Sequence, residues 1–450
     1  MEPAQKLSVQ QTPITGLFVV KIDVHDDERG WFKENWNRER MTGSGLPDLG
    51  PVQNNISFNR DRGTTRGFHA EPWDKYISVG SGSVFGAWVD LRSGEGFGKT
   101  FSTVIEPGIA VFVPRGVANA FQTLEDNTVY TYLVNDHWSS ESKYVNVNLA
   151  DPSLEINWPI KLADAVISKK DLGNPALADV KPFSPKKTLI IGSGGQLGTA
   201  LRAIMPNAET LDLPDFNIAI PEHLSAIIWK DFAVVINASA FTNVDAAETI
   251  DGRRESWATN AHGVAELAKL AIQHRFTLVQ VSTDYVFDGE DPDYDENHRF
   301  SPLNVYGASK AAGDLVVSLV PSHYIIRTSW LVGDGNNFFT KMLDLAVKGE
   351  NPSVVDDQFG RITHAKDLAA AIKYLLEEKA PFGTYNVTSG GEVTTWFELA
   401  RKVFAENGHD ANRVKPVSTD EYLSKNVTAA PRPKRSILKN SMGKFIQRLQ

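Results

Sequence analysis

The feature that most constrains this 450-residue chain is a change of rhythm near residue 184. Up to about Trp158 the sequence reads as short β segments. "YISVGSGSVFGAWVDLR" and "TVYTYLVNDHW" alternate or run apolar, and the turn clusters "SGEGFG" and "EPGIAVFVPRG" interrupt them. Many short strands with Gly and Pro punctuation predict a sandwich or a barrel. After the change, "KTLIIGSGGQLGTALRAIM" gives an apolar strand, a glycine turn and a helix, and "FAVVINASA", "NAHGVAELAKLAIQH", "FTLVQVSTDYVF" and "HYIIRTSW" continue the alternation. Strands alternating with helices predict a parallel, doubly wound sheet. Between the halves, "SKKDLGNPALADVKPFSPKK" is rich in Pro, Lys and small residues and reads as a domain end and linker. Domains are therefore expected at 1–183 and 184–450.

Composition narrows the function classes. The chain is 42% apolar and 22% charged, as in ordinary globular proteins. No run of eighteen apolar residues predicts a membrane span, and "MEPAQKLSVQQTPITG" has no basic region followed by an apolar stretch, so no secretory signal is expected. The absence of cysteine excludes disulfides and thiolate metal sites and fits a cytoplasmic protein. A net charge of −9 argues against a nucleic-acid partner. No ligand cluster predicts a metal.

Gly192, Gly195 and Gly198 form G-x-x-G-x-x-G between a predicted strand and helix. The first permits the tight turn, the second lets backbone approach a pyrophosphate, and the third lets the helix sit close to the sheet. Ordinary turns also use glycine, but the position after "TLII" favours nucleotide binding. Asp212, at the end of the expected second strand, reads equally as a ligand for an adenosine ribose hydroxyl and as a turn former in "LDLPDF". NADH and NADPH both remain open.

In "NVYGASK", Tyr306 and Lys310 lie one helical turn apart on one face. A nearby cation is expected to lower the phenol pKa, which suits a proton donor to a ketone receiving hydride. Chance alone gives about one such spacing in a chain this long. The context adds weight: "VQVSTDYVFDG" ends a predicted parallel strand about twenty residues earlier, where such sheets place their sites. Thr283 there reads either as a hydrogen-bond donor to the same carbonyl or as a capping hydroxyl. Upstream, Arg66, His69 and Lys75 cluster in "RGFHAEPWDK". A histidine can remove a proton from carbon next to a carbonyl, and a lysine can stabilise the enolate oxygen. The plainer reading of His69 is a surface or hydrogen-bonded core histidine.

The segments "GSGGQLG", "VVINASAFTNVDAAE", "STDYVFDG", "PLNVYGASK", "RTSWLVGDGNNF", "DDQFGRIT" and "APRPKRS", in this order, resemble dTDP-4-dehydrorhamnose reductases over roughly residues 187–440. These are extended short-chain dehydrogenases with a Rossmann fold that reduce a 4-keto nucleotide sugar with NAD(P)H. The resemblance implies Thr283, Tyr306 and Lys310 as the catalytic trio and Asp284 and Trp330 as residues facing the sugar nucleotide. It implies Gln196 and Leu197 at the cofactor phosphates, and Asn237, Ala238 and Ser239 bordering the dinucleotide. Ile362 stands where the family usually has proline. Tyr285 follows "STD" where related dehydratases carry glutamate, which argues against dehydration.

The segments "DERGWFKENW", "QNNISFNRDRGTTRGFHAEPWDK", "VFGAWVDLRSGEGFGK", "VFVPRGVANAF", "YLVNDHW" and "DPSLEINWP" resemble dTDP-4-dehydrorhamnose 3,5-epimerase from about Gly16 to Pro175. That family is a cupin-type β-sandwich, or jelly roll, that usually dimerises. The resemblance implies His69 as the base paired with Asp171, Tyr132 as the acid on the opposite sugar face, and Lys75 as the enolate stabiliser. It also implies Arg66 at the diphosphate, Arg29 at the nucleotide across a dimer, and Trp138 stacking on base or sugar. Glu34, Gln53, Asn55 and Asn119 would line the substrate pocket. Asn119 replaces the usual histidine, Glu71 stands where glutamine is common, and the loop from His69 to Lys75 is short. Together the two resemblances imply epimerisation of a dTDP-4-keto-6-deoxy sugar followed by reduction of its ketone. A different 6-deoxyhexose product, a UDP carrier, or a non-catalytic sugar-binding cupin are the alternatives.

Overall fold

The structure, a computed structural model, describes residues 6–138, 144–335, 337–443 and 445. The chain divides into two compact units, Met1–Pro185 and Lys186–Gln450.

The front unit consists mainly of short strands: β1 (Ser8–Gln11), β2 (Phe18–Lys21), β3 (Val24–Asp27), β4 (Gly30–Lys33), β5 (Gln53–Asn59), β6 (Thr64–Ala70), β7 (Lys75–Ser81), β8 (Val84–Asp90), β9 (Thr100–Ile105), β10 (Ile109–Val113), β11 (Val117–Thr123), β12 (Thr128–Val134), β13 (Val145–Asn146) and β14 (Val166–Ile167). One sheet has the order β1-β2-β10-β7-β12-β5 and the other β13-β6-β11-β8-β9, with β14 beside β6 and β3–β4 as a separate hairpin. Between the sheets pack Leu17, Ile77, Val79, Trp88, Val111, Phe121 and Tyr130. The other face of the second sheet is covered by Val147, Leu149, Leu154 and Val180 from the C-terminal part of the unit. That part includes the stretch expected to be a linker. Phe183 is buried, its N–H donates to Leu91 O at 2.7 Å, and its carbonyl accepts from Ser93 N at 3.1 Å. The apolar residues spaced among the Pro and Lys of this stretch dock it onto the sandwich.

In the rear unit, β15 (Lys187–Ile191), β16 (Glu209–Leu211), β17 (Phe232–Asn237), β18 (Thr277–Thr283), β19 (His323–Thr328) and β20 (Gly383–Asn386) form a parallel sheet in the order β16-β15-β17-β18-β19-β20. Alternate residues of its strands face opposite layers, which is why their sequences are continuously apolar. Leu189, Val235, Leu278 and Ile325 meet Leu267, Ala271 and Val317 on one side. Ile190, Ile236, Val279 and Ile326 meet Leu197, Leu201, Leu368 and Ile372 on the other. The strand order reverses at β15, which opens a crevice at the carboxyl ends of the strands. Among the described residues, no helix is long and apolar enough to cross a membrane.

Candidate active sites

In the front unit the pleat sets the site. Along β7, Lys75, Ile77 and Val79 share one face, as do Tyr130, Tyr132 and Val134 on β12 and Gln53 and Asn55 on β5. Tyr132 pairs with both Ile77 and Asn55, and Val134 pairs with Lys75. On the opposing sheet, His69 of β6 is directly opposite Asn119 of β11. These registers bring residues far apart in sequence onto facing surfaces.

Asp171 arrives from a different part of the unit, on the short helix α1 (Lys169–Leu172), which Ser168 caps by accepting from Asp171 N at 3.1 Å. Its carboxylate lies 2.8 Å from His69 Nε2. Burial pushes the Asp171 carboxyl up, but hydrogen bonds from His69, Ser168 and Gly67 outweigh burial and hold it below the usual carboxylate range. An ionised carboxylate here fixes the tautomer and the orientation of the imidazole.

Lys75 is buried, and burial draws its ammonium below the ordinary lysine range, opposed by Glu71 at 2.5 Å. Its Nζ also donates to Asn119 Oδ1 at 2.7 Å and lies 5.3 Å from the Tyr132 ring centre. Burial and then Glu71 raise the Tyr132 phenol, opposed by Arg66, so it stays protonated at neutral pH. Arg66 Nε donates to Asn59 Oδ1 at 3.1 Å, and Gln53 Nε2 to Asn55 Oδ1 at 2.8 Å. Trp138 is exposed, its backbone N–H reaching Gln53 Oε1 at 3.3 Å. Arg29 and Glu34 are not brought to this cluster within the chain. Arg29 is exposed on the β3–β4 hairpin and pairs with Asp27, while Glu34 lies against Asn37 and Arg40.

In the rear unit the glycine turn opens helix α2 (Gln196–Ile204). Gly192 has φ +80°, and a Cβ there would stand 2.6 Å from Ser239 N. A Cβ on Gly198 would stand 2.1 Å from Gly192 O, so this residue packs the helix onto the strand, as expected for the third glycine. The N-cap of α2 is Gly195, with no side chain capping it, and it faces a cavity of about 870 Å³. This open helix start beside a large crevice fits a dinucleotide diphosphate. Gln196, Leu197, Asp212, Ala238 and Ser239 line the same cavity. Asp212 accepts a hydrogen bond from Gly194 N and another from Leu213 N, the latter at 2.8 Å, so its carboxylate also braces the turn. Asn237 Oδ1 accepts from Ser239 N and Oγ at 3.2 and 2.6 Å, shaping the end of β17.

Across the cavity stand Thr283, Asp284, Tyr306, Lys310 and Trp330. Helix α3 (Val305–Val317) starts at Asn304, whose side chain accepts from Gly307 N at 2.7 Å, and carries Tyr306 and Lys310. The Thr283 hydroxyl caps the next turn by accepting from Tyr285 N at 3.2 Å, and the residue also lines the cavity. The expected lowering of the Tyr306 phenol by Lys310 is not what the structure shows. Burial raises the phenol well above its ordinary value, against a smaller opposing effect of the Thr283 hydroxyl. Lys310 instead donates to Val281 O at 2.6 Å, and burial draws it down to about 8 against the pull of Asp314. Desolvation dominates here because Lys310 is buried and Tyr306 stands half-buried against the cavity wall.

Sequence reasoning missed two contributors. Trp396 begins helix α4 (Trp396–Glu406) and stacks on Trp330 with centroids 3.9 Å apart. Arg432 pairs with Asp245 at 2.9 Å and hydrogen-bonds the Tyr285 phenol. The motif "APRPKRS" contains Arg432, and that was the available signal.

These folds and sites define a two-part enzyme: a cupin-type isomerase unit followed by a short-chain-dehydrogenase reductase unit. The RmlD substrate binding domain family model matches residues 186–449, and the dTDP-4-dehydrorhamnose 3,5-epimerase model matches residues 11–179. The chain belongs to both families, one in each unit. Protein RmlC homolog of Streptococcus pyogenes serotype M6 is 53% identical over 180 residues, which cover 38% of this chain and 90% of that protein. dTDP-4-dehydrorhamnose reductase of Aggregatibacter actinomycetemcomitans is 36% identical over 272 residues, covering 56% of this chain and 90% of the relative. The crystal structure of dTDP-4-dehydrorhamnose reductase from Bacillus anthracis in complex with NADP is 35% identical, with a TM-score of 0.52 over 57% of this chain and 92% of that one.

Proposed function

We propose that the chain converts dTDP-4-dehydro-6-deoxy-D-glucose to dTDP-L-rhamnose in two steps that use one ketone. The observation that carries this reading is the presence, in one chain, of a His69–Asp171 pair at 2.8 Å beside buried Lys75 and of Tyr306 and Lys310 along a dinucleotide-sized crevice. In the front unit His69 takes the proton from carbon next to the C4 ketone. Lys75 holds the enolate oxygen, and Tyr132 returns a proton from the other face, so C5 and C3 each invert. In the rear unit a nicotinamide dinucleotide, NADPH or NADH, supplies hydride when bound. Tyr306 gives its proton to the carbonyl oxygen, Thr283 hydrogen-bonds that oxygen, and Lys310 supports Tyr306. Reduction removes the acidity that epimerisation exploits and traps the L-configuration. The epimerase unit uses no cofactor, and a cytoplasmic location suits a nucleotide-sugar substrate.

The test is product NMR and nicotinamide consumption after feeding dTDP-4-dehydro-6-deoxy-D-glucose with NADPH. His69→Ala is expected to abolish the L-sugar product, and Tyr306→Phe to stop cofactor consumption. Full product from both variants would refute these site assignments.

A further inference from the structure

Lys75 is held by a built arrangement. Its ammonium has three N–H donors. One meets Glu71 Oε2 at 2.5 Å and another Asn119 Oδ1 at 2.7 Å, with no third hydrogen-bond acceptor among the described residues. Glu71 is itself fixed, because the same Oε2 accepts from Trp73 Nε1 at 2.8 Å. Asn119 is fixed from the other side, its Nδ2 reaching the buried Tyr130 hydroxyl at 3.4 Å. Both direct partners of Lys75 are positions where the sequence departs from the epimerase pattern.

We propose that Glu71 and Asn119 are positioning residues of the epimerase unit, which keep Lys75 cationic and leave its third N–H directed at the substrate oxygen, so that Glu71 sets the alkaline limit of epimerisation. This rests on the function proposed above. A lysine buried without an anion loses its proton readily, since low-dielectric surroundings disfavour the charged form. Here burial draws Lys75 down and Glu71 opposes it. The other titratable groups facing this region are Tyr130 and Tyr132 on β12, Tyr144 beside Trp73, and Arg66 and His69 on β6 with Asp171. Arg66 is the other fixed cation among them, and it lies close enough to lower the Tyr132 phenol. Glu71 is therefore the anion that both touches Lys75 and favours the protonated form of Tyr132. One carboxylate serves the enolate stabiliser and the acid together.

The test is deuterium incorporation at C3 and C5 of dTDP-4-dehydro-6-deoxy-D-glucose by the full chain, without nicotinamide, across neutral to alkaline pH. An opposite charge this close moves a pKa by about 1–3 units. Glu71→Gln is therefore expected to move the alkaline limb of the exchange rate down by about one unit or more. At alkaline pH the rate should fall by about tenfold or more, with KM little changed. Glu71→Asp should restore much of the limb. Asn119→Asp, which adds a second carboxylate, should move it up, and this variant decides the matter if Glu71→Gln does not fold. A limb that stays put in Glu71→Gln, or in Asn119→Asp where the first does not fold, overturns the proposal. Absence of exchange in the unmodified chain would instead overturn the epimerase reading itself.

Discussion

Asp284 is buried one residue beyond Thr283, and burial raises its carboxyl to about 6, against opposing hydrogen bonds from Ser436 and Thr283. The native carboxyl thus holds its proton more tightly than the unfolded one, whose ordinary value is 3.8. Stability is greatest below the lower value, falls as pH rises between the two, and bears the full penalty above the higher. Asp284→Asn removes this penalty and is expected to stabilise the rear unit at neutral pH by about 2–3 kcal/mol, while lowering reductase kcat/KM. Thermal unfolding at pH 5 and 7.5 checks the sign, because the gain should shrink at the lower pH. At this scale, spacing set Tyr306 and Lys310 on one helix face, since four residues span one helical turn, and the strand end at Thr283 gave the pair its weight. It misjudged the direction of the Tyr306 shift, because desolvation is a property of what surrounds a residue and sequence spacing does not encode it. The partnership of His69 and Asp171, 102 residues apart, came only from motif resemblance. Nothing periodic connects a strand to a helix that distant.

At the scale of elements, the glycine turn separates packing from binding. Gly198 sits where a Cβ would collide with Gly192 O, whereas a Cβ on Gly195 would have 3.6 Å of room. Gly198→Ala is therefore expected to cost about 1–3 kcal/mol of rear-unit stability, as overpacking does, and to weaken nicotinamide binding with it. Gly195→Ala should leave the melting temperature nearly unchanged while raising the Kd for NADPH about tenfold, because the added methyl stands at the helix start proposed for the diphosphate. Calorimetry and fluorescence titration distinguish the two. The strand–turn–helix pattern here was readable because continuous apolar runs, glycines and helical periodicity coincide over twenty residues. In the front unit the strands were equally readable, but the registers that place Tyr132 against Asn55 and His69 opposite Asn119 were not. A one-residue slip reverses every side chain, and the tertiary core settles that choice.

At the scale of the molecule, each unit has its own core, and each family match is confined to one of them. A front fragment ending at Pro185 is expected to fold and catalyse deuterium exchange, and residues 186–450 to bind NADPH. Ending the front fragment at residue 175 instead should destabilise it, since it removes the buried Val180 and Phe183, each worth about 1.5–3 kcal/mol. Denaturant titration of the two fragments measures the difference. A dimer through the front unit is expected from a different feature. β5 is an edge strand that exposes Ile56 (70%) and Phe58 (58%), and the β3–β4 hairpin exposes Phe32 (69%) beside Arg29. An unpaired edge with apolar side chains is a template for another strand, and an isologous pairing of two copies would cover it. Such a pairing would also give Arg29, which among the described residues pairs with its neighbour Asp27, a nucleotide to bind in its partner. The paired substitution Ile56→Lys with Phe58→Lys is therefore expected to halve the mass seen by light scattering and to depress epimerisation, leaving nicotinamide oxidation on a pre-epimerised substrate unchanged. Arg29→Ala should reproduce the catalytic loss while keeping the dimer mass. A chain already monomeric before substitution would remove the basis for placing Arg29 in a neighbouring site.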